Sequence, residues 1–503
     1  MMAAKRQETM DLADVLGERG REELAGFPVG GISADSRSIE PGDVFFACAG
    51  ASSHGLDYVD QALQSGAVAV VWDPSTRGAP ELPSSVLSVP VADFNNRIGS
   101  IADRFYDSPS QQVKVLGVTG TNGKTTCAHL VATALQAAGY SAGQMGTLGF
   151  GFPGRLERSA LTTSDCIGVH AQLASLRDAG ASYVAMEVSS HALVQGRVDH
   201  VSFDLGLFTN LSRDHLDYHP SMDDYGAAKA RLFDTHHPRK AIINVDDDFG
   251  RHLYARLSDQ NSAVAVSAAG QDGFTDAGGL MRGLGFATTR DGLCVSYTGT
   301  WGSGELNSPL VGSFNVENLL LALSTLLCWQ FPVEVALDAL ARCPAPPGRM
   351  EAFRSVSSKP LVLVDYAHTP AALKKALKTA RAHCSAKLWC VFGCGGDRDA
   401  GKRPLMGAVA AELADRIVVT DDNPRGEDPD SIIEQIKHGM PDPERALIIR
   451  DRGEAISSSI RQARPDDLVL VAGKGHEDYQ IVGDEIRWFS DRAAVREALG
   501  SDT

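Results

Sequence analysis

The segment from Gly120 to Thr126 has the composition of a phosphate-binding loop. Its sequence, Gly-Thr-Asn-Gly-Lys-Thr-Thr, follows an apolar run and opens a helical pattern. In that context, backbone N–H groups and the N-terminus of a helix can hold phosphates. We expect Lys124 to pair with the β- and γ-phosphates of a nucleotide and the Thr125 hydroxyl to reach Mg²⁺. The pattern GxxxxGK[ST] is not met, because Val118 stands five residues before Gly123. The alternative is a glycine-rich turn that carries a lysine without binding phosphate.

A second group of candidate residues could hold a metal ion. Glu187 ends a predicted strand, and a later polar stretch contains Asp214, His215, Asp217 and His219. Sites rich in oxygen suit Mg²⁺, which takes few protein ligands and completes its shell with water and substrate phosphates. Each of these residues taken alone has a structural role as its simplest interpretation.

Strands alternate with helices along most of the chain, which positions these residues on loops at strand ends. The predicted strands are 44–47, 67–72, 86–90, 113–119, 183–188, 241–245, 361–365, 388–392, 416–420 and 467–472. The predicted helices are 59–64, 125–138, 371–383 and 403–414. Such alternation favours α/β domains with mostly parallel sheets and helices on both faces.

Two breaks divide this pattern. The segment 107–112 (DSPSQQ) is polar and contains a proline, and 343–348 (CPAPPG) has three prolines that forbid a continuous helix. A length of 503 residues favours about three domains. We therefore predict three consecutive α/β domains at 1–109, 110–345 and 346–503.

Composition excludes several classes of protein. The formal charge is -16, and no block of basic residues is present, so neither a nucleic-acid backbone nor an anionic membrane is an expected partner. The nine cysteines form no CxxC pair, which favours reduced thiols in the cytoplasm. The N-terminal residues lack the apolar core of a signal peptide. The most apolar stretch, 319–329, is too short to span a bilayer and predicts a buried helix, so no membrane insertion is expected.

The sequence GVTGTNGKTT resembles the ATP loop of the Mur ligases and of their folylpolyglutamate synthetase relatives. Further segments match that family in order along nearly the whole chain. They are EVSSH from Glu187, NLSRDHLD from Asn210, GRME from Gly348, DYAH from Asp365, GGDRD from Gly395, DNPR from Asp422 and GKGHE from Gly473. The order of these motifs is far more specific than any one of them.

The resemblance implies a precursor-binding first domain, a central P-loop-type domain and a Rossmann-like C-terminal domain. It also implies an ATP-dependent ligase of peptidoglycan synthesis with ATP as co-substrate and Mg²⁺ as cofactor. The implied partners are UDP-N-acetylmuramoyl-L-alanyl-D-glutamate and meso-diaminopimelate, joined through an acyl phosphate. We expect a cytoplasmic monomer.

The resemblance assigns roles around the ATP loop. The implied catalytic residues are Lys124, Glu187, His215 and Lys229, and the implied metal ligands are Thr125, Glu187, His215 and Lys229. Lys229 would be carboxylated by CO₂ to N6-carboxylysine, whereas a solvated helix lysine is the default interpretation. The implied ATP-binding residues are Gly120, Thr121, Asn122, Gly123, Lys124, Thr125, Thr126, Asn318, Arg349 and Asp365. Asn315 or Asn318 could also cap the helix that they begin, and Asp365 could simply form a strand-end turn.

The resemblance assigns two further sets of residues. The implied contacts to the UDP precursor are Ser36, Ala51, Ser52, Ser53, Thr162, Thr163, Ser189, Gln195 and Arg197. His54 stands where the family usually has an acidic residue, which weakens the match at 51–53. The implied contacts to diaminopimelate are Arg398, Asp422, Asn423, Pro424, Arg425, Gly473 and Glu477. The DNPR segment matches the diaminopimelate signature, and lysine-adding relatives lack its arginine; the alternative is an ordinary turn at Asn-Pro.

Three rival functions remain open at this point. A folylpolyglutamate-type ligase shares the loop but explains neither the first domain nor DNPR. The lysine-adding form of the same ligase would not need Arg425. A regulatory ATPase would need no amino-acid pocket.

Overall fold

The computed structural model describes residues 9–50, 53–258, 262–274, 278–289, 291–355 and 359–500. Ala51 and Ser52, two of the expected precursor contacts, lie outside these ranges. The chain forms two compact units, 1–265 and 266–503, and each is described by itself. None of the described helices is both long and apolar enough to cross a membrane.

The first unit begins with a small parallel sheet. The strands of this region are β1 (Met10–Asp11), β2 (Pro28–Val29), β3 (Gly31–Ser33), β4 (Asp43–Ala47), β5 (Ala69–Trp72) and β6 (Leu87–Pro90). Its helices are α1 (Leu12–Leu16), α2 (Val59–Gln64), α3 (Phe94–Phe105) and α4 (Pro109–Gln112), with 3₁₀ turns at Glu22–Leu24, Ser36–Ser38 and Gly55–Tyr58. Strands β3, β4, β5 and β6 pair in that order, all in parallel, while β1 and β2 form a separate antiparallel pair.

A larger sheet follows, and all of its strands described next lie in the same unit except that the last one extends two residues past its end. Its strands are β7 (Lys114–Thr119), β8 (Ala142–Gly146), β9 (Gly149–Phe152), β10 (Arg155–Glu157), β11 (Tyr183–Glu187), β12 (Leu205–Phe208), β13 (Lys240–Asn244) and β14 (Ala263–Ser267). Its helices are α5 (Lys124–Ala137), α6 (Cys166–Asp178), α7 (Ser190–Val194), α8 (Met222–Asp234) and α9 (Asp248–Ser258). The order is β10-β9-β8-β11-β7-β12-β13-β14, and β8, β11, β7, β12 and β13 run parallel. The carboxyl ends of β8, β11, β7 and β12 therefore lie side by side.

The apolar core of the small sheet extends beyond the first hundred residues. One face of that sheet packs with Leu12, Phe46 and Phe94, and Ile167 and Ala171 of α6 belong to the same buried cluster. Both faces of the sheet are covered, because Phe45 and Val70 enter a second cluster on the other side. Because these parallel strands are buried on both faces, their sequences are continuous apolar runs and do not alternate between apolar and polar residues.

The second unit contains an antiparallel meander and two helices before the last domain. The strands are β15 (Leu280–Thr289), β16 (Gly292–Gly299) and β17 (Gly302–Ser308), and the helices are α10 (Phe314–Cys328) and α11 (Val333–Ala341). Helix α10 is buried along almost its whole length, as the apolar stretch predicts. Helix α11 ends just before the proline-rich segment 343–348, in agreement with the predicted break.

The last domain is a doubly covered sheet of six strands. Its strands are β18 (Glu351–Phe353), β19 (Leu361–Asp365), β20 (Leu388–Phe392), β21 (Arg416–Val419), β22 (Ala446–Ile448) and β23 (Leu468–Ala472), with a hairpin of β24 (Tyr479–Val482) and β25 (Glu485–Trp488). Its helices are α12 (Pro370–Ala382), α13 (Lys402–Leu413), α14 (Pro429–Lys437), α15 (Arg452–Gln462) and α16 (Asp491–Leu499), with a 3₁₀ turn at Pro443–Arg445. The order is β18-β19-β23-β20-β21-β22; only β18 is antiparallel. Separate apolar clusters cover the two faces, which confirms the Rossmann-like arrangement.

Two local predictions differ from the structure. The segment 107–112 is predicted to be a break between domains, but Pro109–Gln112 form a short helix, because proline is favoured in the first turn and Ser110 Oγ accepts a hydrogen bond from Ser202 N at 3.0 Å. Neither Asn315 nor Asn318 caps α10. Both are buried, and Asn315 Nδ2 donates to Val311 O at 2.8 Å.

A fully buried ion pair joins two helices of the last domain. The guanidinium of Arg452 donates from Nε to Asp491 Oδ1 and from Nη2 to Asp491 Oδ2, both at 2.7 Å. Neither side chain is exposed to solvent. Removing one member would leave the other as an uncompensated charge in the interior.

We predict that Asp491→Ala lowers the free energy of unfolding by about 3–5 kcal/mol, since the buried Arg452 guanidinium loses the carboxylate that it is paired with. Urea unfolding followed by tryptophan fluorescence measures the change. The matched control is Glu485→Ala, which removes an exposed pair with Arg487 and should leave the free energy of unfolding nearly unchanged. Equal losses in the two variants would contradict the prediction.

Candidate active site

The phosphate loop lies between β7 and α5, at the centre of the parallel sheet. Gly120 has a φ of 143°, and a side chain there would collide with Thr209 Oγ1. Gly123 precedes α5 with a φ of 87°, which favours glycine. The loop is braced by Asn210, whose carbonyl accepts from Thr121 N at 2.8 Å and whose Oδ1 accepts from Asn122 N at 3.0 Å. The strand, turn and helix expected for a nucleotide loop are therefore present.

Glu187 extends from the end of β11 into the same region and is almost completely buried. Its Oε2 accepts from Thr125 Oγ1 at 2.8 Å, and its Oε1 accepts from Thr147 N at 2.8 Å. Burial raises the pKa of this carboxyl, while Lys124 and the two threonines oppose the shift. A side chain at Gly146 would collide with Glu187 Oε1. The chain thus places a carboxylate and a hydroxyl together beside the loop.

The Lys124 amine folds back over the loop. Its Nζ donates to Gly120 O and to Thr121 O, each at 2.9 Å. Desolvation lowers the pKa of this amine, and the nearby carboxylates of Glu187 and Asp214 partly oppose that effect. A cation held by carbonyl oxygens at a helix N-terminus is available to exchange those contacts for phosphate oxygens.

Lys229 lies on α8 with only 1% of its surface exposed. Its Nζ donates to Gly120 O at 2.8 Å and lies 4.2 Å from the centroid of the Tyr225 ring. Burial and the neighbouring charge of Lys124 lower the pKa of Lys229 to about 6. The interpretation as a solvated helix lysine is therefore wrong.

A group of aromatic and histidine rings stands next to this amine. The ring centroids of His191 and His215 are 5.1 Å apart, and the centroid of Tyr225 is 6.1 Å from that of His215. His219 is buried, with Nε2 at 2.9 Å from Ser190 Oγ. His215 has a φ of 52° and a partly exposed side chain. In the described part of the chain, no three His, Cys, Asp or Glu side chains are grouped closely enough to hold a metal by themselves.

The expected precursor residues of the central domain also meet near Glu187. Thr162 Oγ1 lies 3.0 Å from Thr147 Oγ1, and Thr163 Oγ1 donates to Glu187 O at 2.9 Å. Ser189 caps α7, and its N–H donates to Thr163 Oγ1 at 3.1 Å. The structure therefore connects these residues directly to the phosphate-loop region.

A cavity of about 1020 Å³ lies within the first unit. Gln195 and Arg197 line it together with Gly50 of the first domain. Arg197 Nη1 donates to Thr163 O at 2.9 Å, and Gln195 Nε2 donates to Tyr218 Oη at 3.1 Å. The cavity is thus bounded by both the small sheet domain and the central domain.

The remaining expected contacts of the first domain differ in their surroundings. Ser36 is buried, and its Oγ donates to Gln61 Oε1 at 2.7 Å. Ser36 does not line the cavity, whereas its neighbour Ala34 does. Ser53 is exposed, and its carbonyl accepts from Gly50 N at 3.0 Å.

Asn318, Arg349 and Asp365 are expected nucleotide contacts that belong to the second unit. Asn318 Nδ2 donates to Asn315 Oδ1 at 2.9 Å. The Asp365 carboxylate accepts from Met350 N at 2.8 Å and from Ala367 N at 2.9 Å, and burial raises its pKa. The guanidinium of Arg349 lies 5.1 Å from the centroid of the Tyr366 ring. The strand-end turn considered for Asp365 is therefore formed.

The residues expected to contact the amino acid lie near the carboxyl ends of β20, β21 and β23, where α/β sheets commonly bind ligands. Asn423 Nδ2 donates to Glu477 Oε2 at 3.3 Å. Arg425 is half-buried with a φ of 51°, and its Nη1 donates to Gly396 O at 2.8 Å. Arg398 is exposed, whereas Asp422 and Pro424 are buried and Gly473 has a φ of 123°. The loops that carry Arg398 and Arg425 are joined by Gly396 N, which donates to Asn423 O at 2.9 Å.

Sequence reasoning missed two residues of these sites. Thr147 follows β8, whose sequence Ala-Gly-Gln-Met-Gly lacks the apolar run that identified other strands. Lys474 is completely buried against Asp422 and Asn423, two of the expected diaminopimelate contacts, and it stands in the recognised GKGHE segment. The sequence signal that could have identified Lys474 is its position directly after Gly473, an expected contact to diaminopimelate.

Three models of one protein family match the chain in succession. The Mur ligase family catalytic domain matches residues 28–106, the Mur ligase middle domain matches 118–326, and the Mur ligase glutamate ligase domain matches 348–475. Together they cover most of the chain.

Similarity to individual proteins of known name is consistent with these family matches. The chain is 47% identical over 482 residues to the UDP-N-acetylmuramoyl-L-alanyl-D-glutamate--2,6-diaminopimelate ligase of Alkalilimnicola ehrlichii, covering 94% of this chain and 95% of that protein. It is 34% identical to a solved structure described by the same enzyme name, with a TM-score of 0.72, and the match covers 98% of this chain and 99% of that one. Folylpolyglutamate synthase of Mycobacterium tuberculosis complexed with ADP is 18% identical with a TM-score of 0.55, covering 75% of this chain and 91% of that one, which shows a shared fold alone. The chain belongs to the Mur ligase family.

Proposed function

We propose that the chain is an ATP-dependent ligase that adds meso-diaminopimelate to UDP-N-acetylmuramoyl-L-alanyl-D-glutamate. The observation that carries this proposal is the grouping of Glu187, Thr125, Lys124 and Lys229 around one phosphate loop beside a large cavity. The relative of known name at 47% identity supports the same substrates. The proposal includes action in the cytoplasm, as a monomer, for peptidoglycan synthesis.

The residues beside the loop fit Mg²⁺. Thr125 Oγ1 and Glu187 Oε2 are hard oxygen donors 2.8 Å apart, and Glu187 is a buried carboxylate that a cation would neutralise. Mg²⁺ accepts one or two such ligands and completes its shell with phosphates and water. We propose that Thr125 and Glu187 hold it, with His215 and carboxylated Lys229 as further ligands. When bound, it would neutralise charge on the phosphates during phosphoryl transfer.

Carboxylation of Lys229 is supported by its surroundings. A buried amine exists largely in its neutral form, which is the form that attacks CO₂. The product would carry a negative charge, which the adjacent Lys124 ammonium would offset. The same burial would be costly for an unmodified lysine cation.

The reaction has two steps in this proposal. First, the side-chain carboxylate of the D-glutamate attacks the γ-phosphorus of ATP, which forms an acyl phosphate and releases ADP. The amine of diaminopimelate then attacks the acyl carbon, and the tetrahedral intermediate expels phosphate and loses a proton to give the amide. Lys124 would compensate charge on the phosphates, and the 1020 Å³ cavity would hold the precursor against Gln195 and Arg197.

The remaining proposed substrate contacts include residues of the second unit. We propose that Asn318, Arg349 and Asp365 contact the nucleotide, and that Arg398, Arg425 and Glu477 contact the amino acid. The domains are proposed to lie at 1–109, 110–345 and 346–503, and to bind the precursor, ATP and the amino acid in that order. Ser36 and the segment 51–53 are proposed to contact the uridine part.

The test of the function is a ligation assay with the UDP-dipeptide, ATP and a panel of amino acids. A guanidinium can bind the second carboxylate of meso-diaminopimelate, which lysine lacks, so we expect lysine to be used roughly 10⁴-fold less efficiently.

Arg425→Ala should raise the KM for diaminopimelate on the order of 100-fold and leave the KM for ATP nearly unchanged. Arg487→Ala, an exposed arginine of the hairpin, is the control. Equal use of the two amino acids by the unaltered enzyme would contradict the specificity.

Lys229→Ala should abolish ligation, because the proposed carbamate oxygens are lost. Millimolar acetate or formate should restore part of the activity by supplying a carboxylate in the space left by the side chain. A carbamate signal in ¹³C NMR after incubation with ¹³CO₂ should be present in the unaltered protein and absent from the variant. Lys114→Ala, at the exposed start of β7, is the control. Full activity of Lys229→Ala would remove the carbamate from the mechanism.

Lys124→Ala should lower kcat by at least about 10²-fold, since loss of a charge that stabilises a transition state in a desolvated site has effects of this size. The measurement is steady-state release of phosphate with both substrates saturating. Normal release by this variant would show that ATP reacts at another site.

A further inference from the structure

Lys474 follows β23 and has no exposed surface. Lysine is rarely buried completely unless its charge is paired. The Nζ atom lies 2.9 Å from Asn423 Oδ1, 2.8 Å from Tyr479 O and 3.2 Å from Asp422 Oδ1. The ammonium group therefore donates hydrogen bonds to Asn423 and Tyr479 and forms an ion pair with Asp422.

Two of those partners belong to the loop proposed to bind the amino acid. Asp422 and Asn423 begin the DNPR segment, and a third pocket residue, Glu477, has its Oε2 3.8 Å from Lys474 Nζ. Burial lowers the pKa of Lys474, and the carboxylates of Asp422 and Glu477 oppose that effect. One cation thus stands between two carboxylates that approach from different loops.

The contact with Asn423 fixes the orientation of its amide. The Oδ1 atom accepts from Lys474 Nζ and from Ile481 N at 3.0 Å. Because both of those groups donate, the oxygen must face them, and the Nδ2 group is left to face Glu477 Oε2 at 3.3 Å. The orientations of Asn423 and Glu477 therefore depend on the lysine.

The hairpin of β24 and β25 connects the same network to Arg425. The carbonyl of Ile481 accepts from Arg425 N at 3.1 Å, and Gly483 N donates to Arg425 O at 2.8 Å. Lys474 bonds to the first residue of this hairpin through Tyr479 O. Its single amine therefore joins the DNPR loop, the hairpin and Glu477.

We propose that Lys474 is a positioning residue for the amino-acid substrate, which acts by orienting Asn423 and Glu477 toward it. This inference rests on the proposed function of the pocket. Lys474 has no direct contact with the substrate in this proposal. Its loss should weaken binding of the amino acid while the ATP and precursor sites are unaffected.

The experiment compares Lys474→Met, Lys474→Arg and the unaltered full-length enzyme in the ligation assay. Methionine keeps most of the volume and removes the charge, so the KM for diaminopimelate should rise about 10- to 100-fold. Arginine keeps the charge but not the tetrahedral arrangement of donors, so it should restore only part of the binding. The KM values for ATP and the UDP-dipeptide should change less than about 2-fold. Lys359→Met, which removes a lysine bonded to Ala498 O in the same domain, is the matched control.

A double-mutant cycle separates positioning from a purely structural role. If Lys474 acts through Asn423, the effects of Lys474→Met and Asn423→Ala on the KM for diaminopimelate should not add in the double variant. Additive effects, or an equal loss of affinity for all three substrates, would overturn the proposal. If Lys474→Met does not fold, an unchanged KM in Lys474→Arg would overturn it.

The same assay distinguishes failure of the proposed ligase function from failure of the positioning role of Lys474. An unaltered enzyme that ligates no amino acid would refute the proposed function. Normal ligation by the unaltered enzyme with an unchanged KM in both Lys474 variants would refute only the positioning role.

Discussion

The burial of the Glu187 carboxylate is the constraint on which the central site depends. A buried carboxylate must be compensated by donors or cations, and Thr125, Thr147 and Lys124 provide that compensation. Each of these residues follows a different parallel strand or begins the next helix. The sheet order β8-β11-β7-β12 brings those strand ends together. The chemistry of the loop therefore follows from strand topology as much as from the loop sequence.

Much of the fold follows from local patterns in the sequence. Strands such as Leu361–Asp365 and Leu468–Ala472 were predicted within one residue of their observed bounds, because fully buried parallel strands have uninterrupted apolar runs. Strand β8 was not predicted, since glycine and glutamine interrupt its pattern. The short helix Pro109–Gln112 was missed because its stability comes from burial of Pro109 and Ser110, which the local composition does not report.

The candidate site was harder to predict at positions where the structure buries a side chain of a type that is usually exposed. Lys229 and Lys474 are lysines on or beside regular elements, and composition alone predicts that both are solvated. The structure buries both, and oxygen partners of each come from residues distant in sequence: Gly120 O for Lys229, and side-chain oxygens of Asn423 and Asp422 for Lys474. Only the tertiary arrangement can reveal such partners. The motif residues themselves, including Glu187 and Asn423, were identified because their types and order match the family.

The shared core of the first unit has a consequence for how such ligases can be divided or recombined. Ile167, Ala171 and Ala174 of α6 are packed in the same apolar cluster as Phe46 and Phe94 of the small sheet. A fragment that ends at residue 109 would expose that face of the cluster to water. A chimaera that exchanged the first domain alone would set unmatched side chains against α6. The small sheet and this helix therefore form one packing unit, and their contacting side chains must vary in concert.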